Sequence, residues 1–186
     1  TFDAVLYATG RKANTANIGL EHTDIATNER GAIVVNDTCE SSVPGVYAVG
    51  DVNGGPQFTY ISLDDFRIVF GALTGNSQYT LKDRKNIPYT TFLTPPLSRV
   101  GLTEEDAINQ GYTVKTKEML VATMPRAHVN DYLKGAFKIV VDADNDLILG
   151  ATLYSQGAEE LINLIKMAMD NNIPYTYFKN QIFTHP

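Results

Sequence analysis

The sequence predicts an α+β fold, in which a C-terminal antiparallel sheet with helices follows the last part of an α/β domain. Three observations lead there. Two apolar runs, 136–141 and 147–154, flank Asp144-Asn145-Asp146, the residue chemistry of a hairpin turn. Residues 157–171 set Leu161, Leu164, Ile165, Ala168 and Met169 at helical spacing, so one stripe is buried. Earlier, the apolar run 46–49 ends on Gly50-Asp51, as strands of open α/β sheets end where ligands bind.

Taken in order, residues 3–8 form a short apolar run closed by Thr9-Gly10 and predict a buried strand. Residues 11–31 are polar and rich in turn residues, and 32–35 predict a second strand. Val43-Pro44-Gly45 is a turn leading into a third strand over 46–49. From Thr59 to Leu73 the period becomes helical, with Leu63, Phe66, Ile68, Val69, Phe70 and Leu73 on a broad apolar face that Gly75-Asn76 closes. The charged stretch 81–86 marks a domain boundary. Beyond it, 89–93 predicts a strand stopped by Pro95-Pro96, and 99–102 another. Thr103 caps a short helix whose first turn holds Glu104, Glu105 and Asp106 and whose stop is Gly111. Residues 112–124 predict a strand before the hairpin. Pro174 follows the long helix, and 175–181 predicts one more short helix. Strands in hairpins with helices on one side make an α+β domain.

Composition narrows the function. The chain has 186 residues, 44% of them hydrophobic and 19% charged, enough for a packed core. A formal charge of −6 argues against nucleic-acid binding, which needs clustered Lys and Arg. No apolar run reaches the roughly 18 residues of a membrane span. The single cysteine, Cys39, has no internal disulfide partner, which fits a reducing, cytoplasmic setting. Thr1-Phe2-Asp3 carries neither Met nor a signal pattern, and the chain stops at His185-Pro186, so both ends read as cuts in a longer protein.

Gly50-Asp51 is the first candidate site. Gly50 lets a ligand approach its backbone, and the Asp51 carboxylate accepts hydrogen bonds from a sugar-like hydroxyl. A plain Gly-Asp turn explains the same two residues. Of the histidines, His22 lies in a polar loop, and His128 reads as part of a surface loop, with a place lining a substrate channel as the other reading. No cluster has zinc-like spacing, and Asp142, Asp144 and Asp146 lack the later Gly and Glu of a calcium loop, so no metal site is expected.

The ordered motifs add a family. Ala8-Thr9-Gly10-Arg11 resembles the ATGR-type motif with which flavin disulfide reductases leave their NAD(P)H domain. Val46 to Asp51 resembles their second FAD motif. Pro88, Phe92, Pro95-Pro96, the Val100–Glu104 stretch and Ala107 resemble the opening of their dimerisation domain, and Ile182 to Pro186 resembles their terminal His-Pro motif. The chain is thus similar to the pyridine nucleotide–disulfide oxidoreductases, the family of glutathione reductase, lipoamide dehydrogenase and mercuric reductase. The segments Gln57–Asp65, Asp83-Arg84-Lys85 and Pro95–Arg99 look like its branch linked to reactive-chlorine resistance and hypothiocyanous acid reduction.

That resemblance implies a division into the end of an NAD(P)H-binding domain (1–12), the C-terminal part of an FAD-binding domain (13–85) and a dimerisation domain (86–186). It implies FAD and either NADH or NADPH as cofactors, and a small oxidant or disulfide as substrate. It also implies a homodimer built through the C-terminal domain. Gly10, Arg11, Gly50, Asp51, Gln57, Phe58 and Thr59 would serve cofactor binding. Thr59 would open a helix whose N-terminus faces the flavin's pyrimidine side, where reduced flavin is negative. His185 would be the catalytic acid/base, since imidazole titrates near pH ~6.5. The family's paired redox cysteines, GxGxxG motif and nucleotide-selecting residues are not in this sequence. Two rival readings are a non-catalytic dimerisation module and a relative that reduces peroxide or oxygen with one redox cysteine.

Overall fold

The computed structural model describes residues 2–184. The chain forms two compact units, Thr1–Arg84 and Lys85–Pro186.

The second unit is built on a five-stranded antiparallel sheet. Its strands are β1 (Tyr89–Thr91), β2 (Leu97–Gly101), β3 (Val114–Leu120), β4 (Ala136–Asp142) and β5 (Ile148–Tyr154), in the order β1-β2-β5-β4-β3. The β4–β5 hairpin closes where expected. The Asp144 N–H donates to the Asp142 carboxylate at 3.0 Å, the Leu147 N–H to Asn145 at 2.9 Å, and Asp146 takes φ +62°. These Asx contacts bend the chain locally without a glycine.

Helix α4 (Ala158–Asp170) lies on the sheet. Its Ala158, Ile162, Ala168 and Met169 pack with Val100, Ile148, Ala151 and Leu153 into the core, with Phe137 and Ile139 at its margin. Helix α2 (Glu104–Asn109) has the capping box its sequence predicts: Thr103 Oγ1 accepts from the Asp106 N–H at 3.0 Å while Asp106 bonds back to Thr103. The helices are not confined to one side, however. Lys138, which alternates along β4 with the core-facing Phe137 and Ile139, pairs with Glu104 of α2 at 2.6 Å. Strand alternation places α2 opposite α4. The predicted strand 112–124 is also shorter. Met119 and Leu120 end it, a 3₁₀ turn follows at Val121–Thr123, and Pro125 starts helix α3 (Pro125–Val129), as proline at a first helical position does. His128 therefore sits on a short helix, its Nε2 2.8 Å from the Ala122 carbonyl. Helix α5 (Tyr175–Lys179) follows Pro174.

The first unit departs most from expectation. Residues 2–10 form no strand, and Val5, Leu6 and Tyr7 are exposed. A parallel-type strand forms only against hydrogen-bonded neighbours, and no described segment pairs with this one. The runs at 32–35 and 46–49 form isolated bridges instead of strands: Thr27 with Ile33, Val35 with Ser41, and Glu40 with Tyr47. Val46 and Val49 are exposed, so that run is not a buried strand. Helix α1 (Thr59–Leu73) has the predicted bounds. Its buried stripe is different: Ile61, Asp65 and Ile68 face inward, while Leu63, Phe66, Phe70 and Leu73 are exposed. The described residues contain no helix long and apolar enough to cross a membrane.

Candidate functional site

Gly50 opens a four-residue 3₁₀ turn, Gly50–Asn53, that carries Asp51. Residues before it hold the turn in place: the Ala48 N–H donates to Cys39 O at 3.0 Å, and the Ile33 N–H to Val52 O at 2.9 Å. Gly50 adopts φ +72°, and a Cβ there would strike the Ser62 hydroxyl on α1. Its missing side chain thus admits the helix, and its N–H is engaged by Asp65 at 2.7 Å. Asn53 donates to the same Asp65 oxygen at 2.9 Å and to Ala48 O at 3.3 Å.

Asp65 is fully buried. Its other oxygen pairs with the guanidinium of Arg84, whose Nε also donates to Asp64 at 2.7 Å. Burial alone would lower the Arg84 pKa, but the hydrogen bonds it donates to Asp65 and then to Asp64 hold it above its ordinary value. A buried charge survives only with such partners. Cys39 lies near the same charges. Burial first, and then the Asp65 carboxylate, push its thiol up to about 11.

Asp51, by contrast, is exposed. It lines a cavity of about 610 Å³ together with Arg11, Lys12, Arg30, Gly54 and Gln57. The chain thereby brings together three of its sequence-predicted residues, Arg11, Asp51 and Gln57, from separate stretches. Gly10 lies beside Arg11, at φ +103° with open space around it. Phe58 is the N-cap residue of α1 and makes no side-chain capping hydrogen bond, and its carbonyl accepts from the Ile61 N–H at 3.0 Å; the helix begins at Thr59 with the partial positive charge of its N-terminus. Its ring stacks on Tyr60, centroids 5.2 Å apart. Thr59 is exposed at the first helical position. His185 lies outside the described residues.

This donor set suits a ligand with hydroxyls and negative charge: two carboxylates, Asp51 and Glu29, for hydroxyls, three cationic side chains, and a helix N-terminus without a side-chain cap. FAD has both features, so the residues present fit it. Sequence reasoning missed Asp65, Asn53, Arg84, Lys12 and Arg30. Asp65 had a readable signal. It stands at i+4 from Ile61 and three before Ile68, so a carboxylate falls on the inward stripe and must be satisfied there.

Among the described residues, no three His, Cys, Asp or Glu side chains are grouped to hold a metal ion. A second groove, of about 420 Å³, lies in the C-terminal unit. It is lined by apolar Ile139, Val141 and Ile148 and by Lys115, Lys117 and Lys179.

Comparison with known proteins identifies the family. The model of the pyridine nucleotide-disulphide oxidoreductase dimerisation domain matches residues 87–186, and the pyridine nucleotide-disulphide oxidoreductase model matches residues 1–65. The chain belongs to the pyridine nucleotide-disulphide oxidoreductase family. It is 48% identical over 184 residues to the probable pyridine nucleotide-disulfide oxidoreductase RclA of Escherichia coli (strain K12), covering 99% of this chain and 42% of that protein. It is 36% identical over 167 residues to a mercuric reductase of Staphylococcus aureus, covering 90% of this chain and 30% of that one. The solved structure of the HOCl-induced flavoprotein disulfide reductase RclA from Escherichia coli superposes with TM-score 0.92 at 47% identity, over 96% of this chain and 41% of that chain. The chain thus spans about two fifths of the length of this oxidoreductase. The expected family, its reactive-chlorine branch and the α+β class are borne out.

Proposed function

We propose that this chain is the part of an FAD-dependent, NAD(P)H-oxidising disulfide-type reductase that holds one side of the flavin and assembles the dimer. The observation that carries the reading is the cavity in which Arg11, Asp51 and Gln57 converge, with Gln57 two residues before the start of α1. Asp51 accepts hydrogen bonds from ribityl hydroxyls. The backbone of Gln57, Phe58 and Thr59 faces the pyrimidine side, where the dipole of α1 favours negative charge. Gly10 and Arg11 serve the same cofactor site. Bound FAD supplies the two-electron relay between a nicotinamide and a cysteine pair. Cys39, the only cysteine, is wholly buried and its thiol is pushed up to about 11, so it does not supply that chemistry.

Residues 1–12 are read as the end of the NAD(P)H-binding domain, 13–85 as FAD-binding and 86–186 as the dimerisation domain. His185 is assigned the proton transfers that accompany thiol–thiolate interconversion in the partner subunit. The substrate is a small oxidant or disulfide, and the compartment is the cytoplasm. Two measurements test the reading. The flavin absorbance of the protein, with and without added FAD, reports the cofactor. In the flavoprotein carrying this segment, His185→Ala is expected to slow disulfide turnover while NAD(P)H still reduces the flavin. Equal loss of both steps contradicts the acid/base role.

One observation favours a narrower role for the isolated chain. Leu161, Leu164 and Met167 on α4 are exposed, although Ile162 and Ala168 of the same helix are buried in the core. An apolar face of this kind suits a second copy of the chain, so the 186 residues alone act as an assembly unit without catalysis.

A further inference from the structure

Asp65 stands on the inward stripe of α1, between Ile61 and Ile68, with no exposure to solvent. Among the described residues, every group hydrogen-bonded to its carboxylate is a donor. The Gly50 N–H at 2.7 Å and the Asn53 amide at 2.9 Å share one oxygen, and the Arg84 guanidinium takes the other. Gly50 and Asn53 are the first and last residues of the four-residue turn whose second residue is Asp51. One buried carboxylate therefore pins both ends of the turn. Asn53 adds a further tie by accepting from the Gly55 N–H at 3.0 Å. Between the two pinned ends, the Asp51 side chain lines the cavity. A functional group is held most accurately when its support is buried and fully hydrogen-bonded.

We infer that Asp65, braced by Arg84, is the positioning residue for Asp51: it fixes the turn so that the Asp51 carboxylate meets the hydroxyls of the flavin's ribityl chain. The inference rests on the flavin reading of Asp51. It requires an acceptor-only group at this position. Asn has nearly the same shape, but its NH2 must face one of three donors and leave it unsatisfied. Among the described residues, Asp64 pairs with the Nε of the same Arg84 and with the Tyr79 hydroxyl, not with the turn.

Two readouts test this. In the 186-residue chain, Asp65→Asn is expected to speed hydrogen exchange at the Gly50 amide roughly tenfold or more, the scale of losing a hydrogen bond to a charged group, while the amides of α1 stay protected. In the flavoprotein carrying this segment, FAD dissociation constants are measured for Asp51→Asn, Asp65→Asn and the double variant. Asp65→Asn is expected to weaken FAD about tenfold, and to add nothing once Asp51 is already Asn, because the effect passes through Asp51. Independent, additive losses overturn the inference. Unchanged FAD affinity in Asp51→Asn instead removes the flavin reading. The Gly50 exchange rate then decides the positioning role by itself, and an unchanged rate overturns it. Should Asp65→Asn fail to fold, Arg84→Lys keeps the charge but loses the two-pronged reach. It is expected to give the same non-additive pattern at severalfold size, and additive losses there overturn the inference equally.

Discussion

Gly50 and Ser62 meet with no room for a side chain between them. A Cβ on Gly50 would strike the Ser62 hydroxyl, and the residue sits at φ +72°, where L side chains are strained. The turn carrying Asp51 is thereby seated directly on α1. Gly50→Ala is expected to destabilise the protein by roughly 2–3 kcal/mol, from strain and overpacking together. Urea unfolding measures it. Ser62→Ala in the same chain should recover part of the loss, because it removes the nearest atom; strictly additive effects would show that the clash is relieved by other means.

The two faces of α4 predict opposite behaviour. Ile162 is buried against the sheet, so Ile162→Ala is expected to cost about 2–5 kcal/mol in unfolding free energy. Leu164 and Met167 point away from that core and are exposed. Replacing both with Glu should leave the far-ultraviolet circular dichroism native while shifting sedimentation from dimer to monomer. A wild-type chain that stays monomeric at all micromolar concentrations would contradict the assembly role.

Alkaline pH should weaken the first unit through Cys39. The folded thiol keeps its proton to about pH 11, against an ordinary value of 9.0. Below the unfolded value both states are protonated and the stabilisation is fully present. As pH rises from about 9, the unfolded chain ionises first, and stability falls until the folded thiol also ionises near 11. The loss is expected to total about 3 kcal/mol. Unfolding curves across that window, compared with Cys39→Ala, isolate the effect from tyrosine ionisation: the variant should show a flatter profile. Identical profiles would mean that the thiol is not protected by burial.

The C-terminal sheet was legible because its signals are local. Thr103 and Asp106 cap α2 three residues apart, and Asp142 to Asn145 close the hairpin through their own side chains. Helix α4 announced part of its stripe through Ile165, Ala168 and Met169, whereas Leu161 and Leu164, expected on the same buried stripe, are exposed. The first unit was less legible because its structure depends on partners distant in sequence. Apolar content at Val5, Leu6 and Val46 implied strands, but a strand exists only with neighbours to bond, and these residues have none in regular pairing. On α1, hydrophobicity pointed to Leu63 and Phe66 as core, whereas the buried position belongs to Asp65. Its partners Gly50, Asn53 and Arg84 lie 15, 12 and 19 residues away, out of reach of any periodicity argument. The motif residues Arg11, Asp51 and Gln57 were readable as candidates, and the fold supplies the shared cavity.

The most direct test of the account is an equilibrium FAD titration of the flavoprotein carrying this segment, wild type against Asp51→Asn. If Asp51 holds the ribityl hydroxyls through charge-assisted hydrogen bonds, the variant should bind FAD about tenfold or more weakly while its unfolding curve is unchanged. Equal affinity in the two proteins would contradict the assignment of this cavity to the flavin.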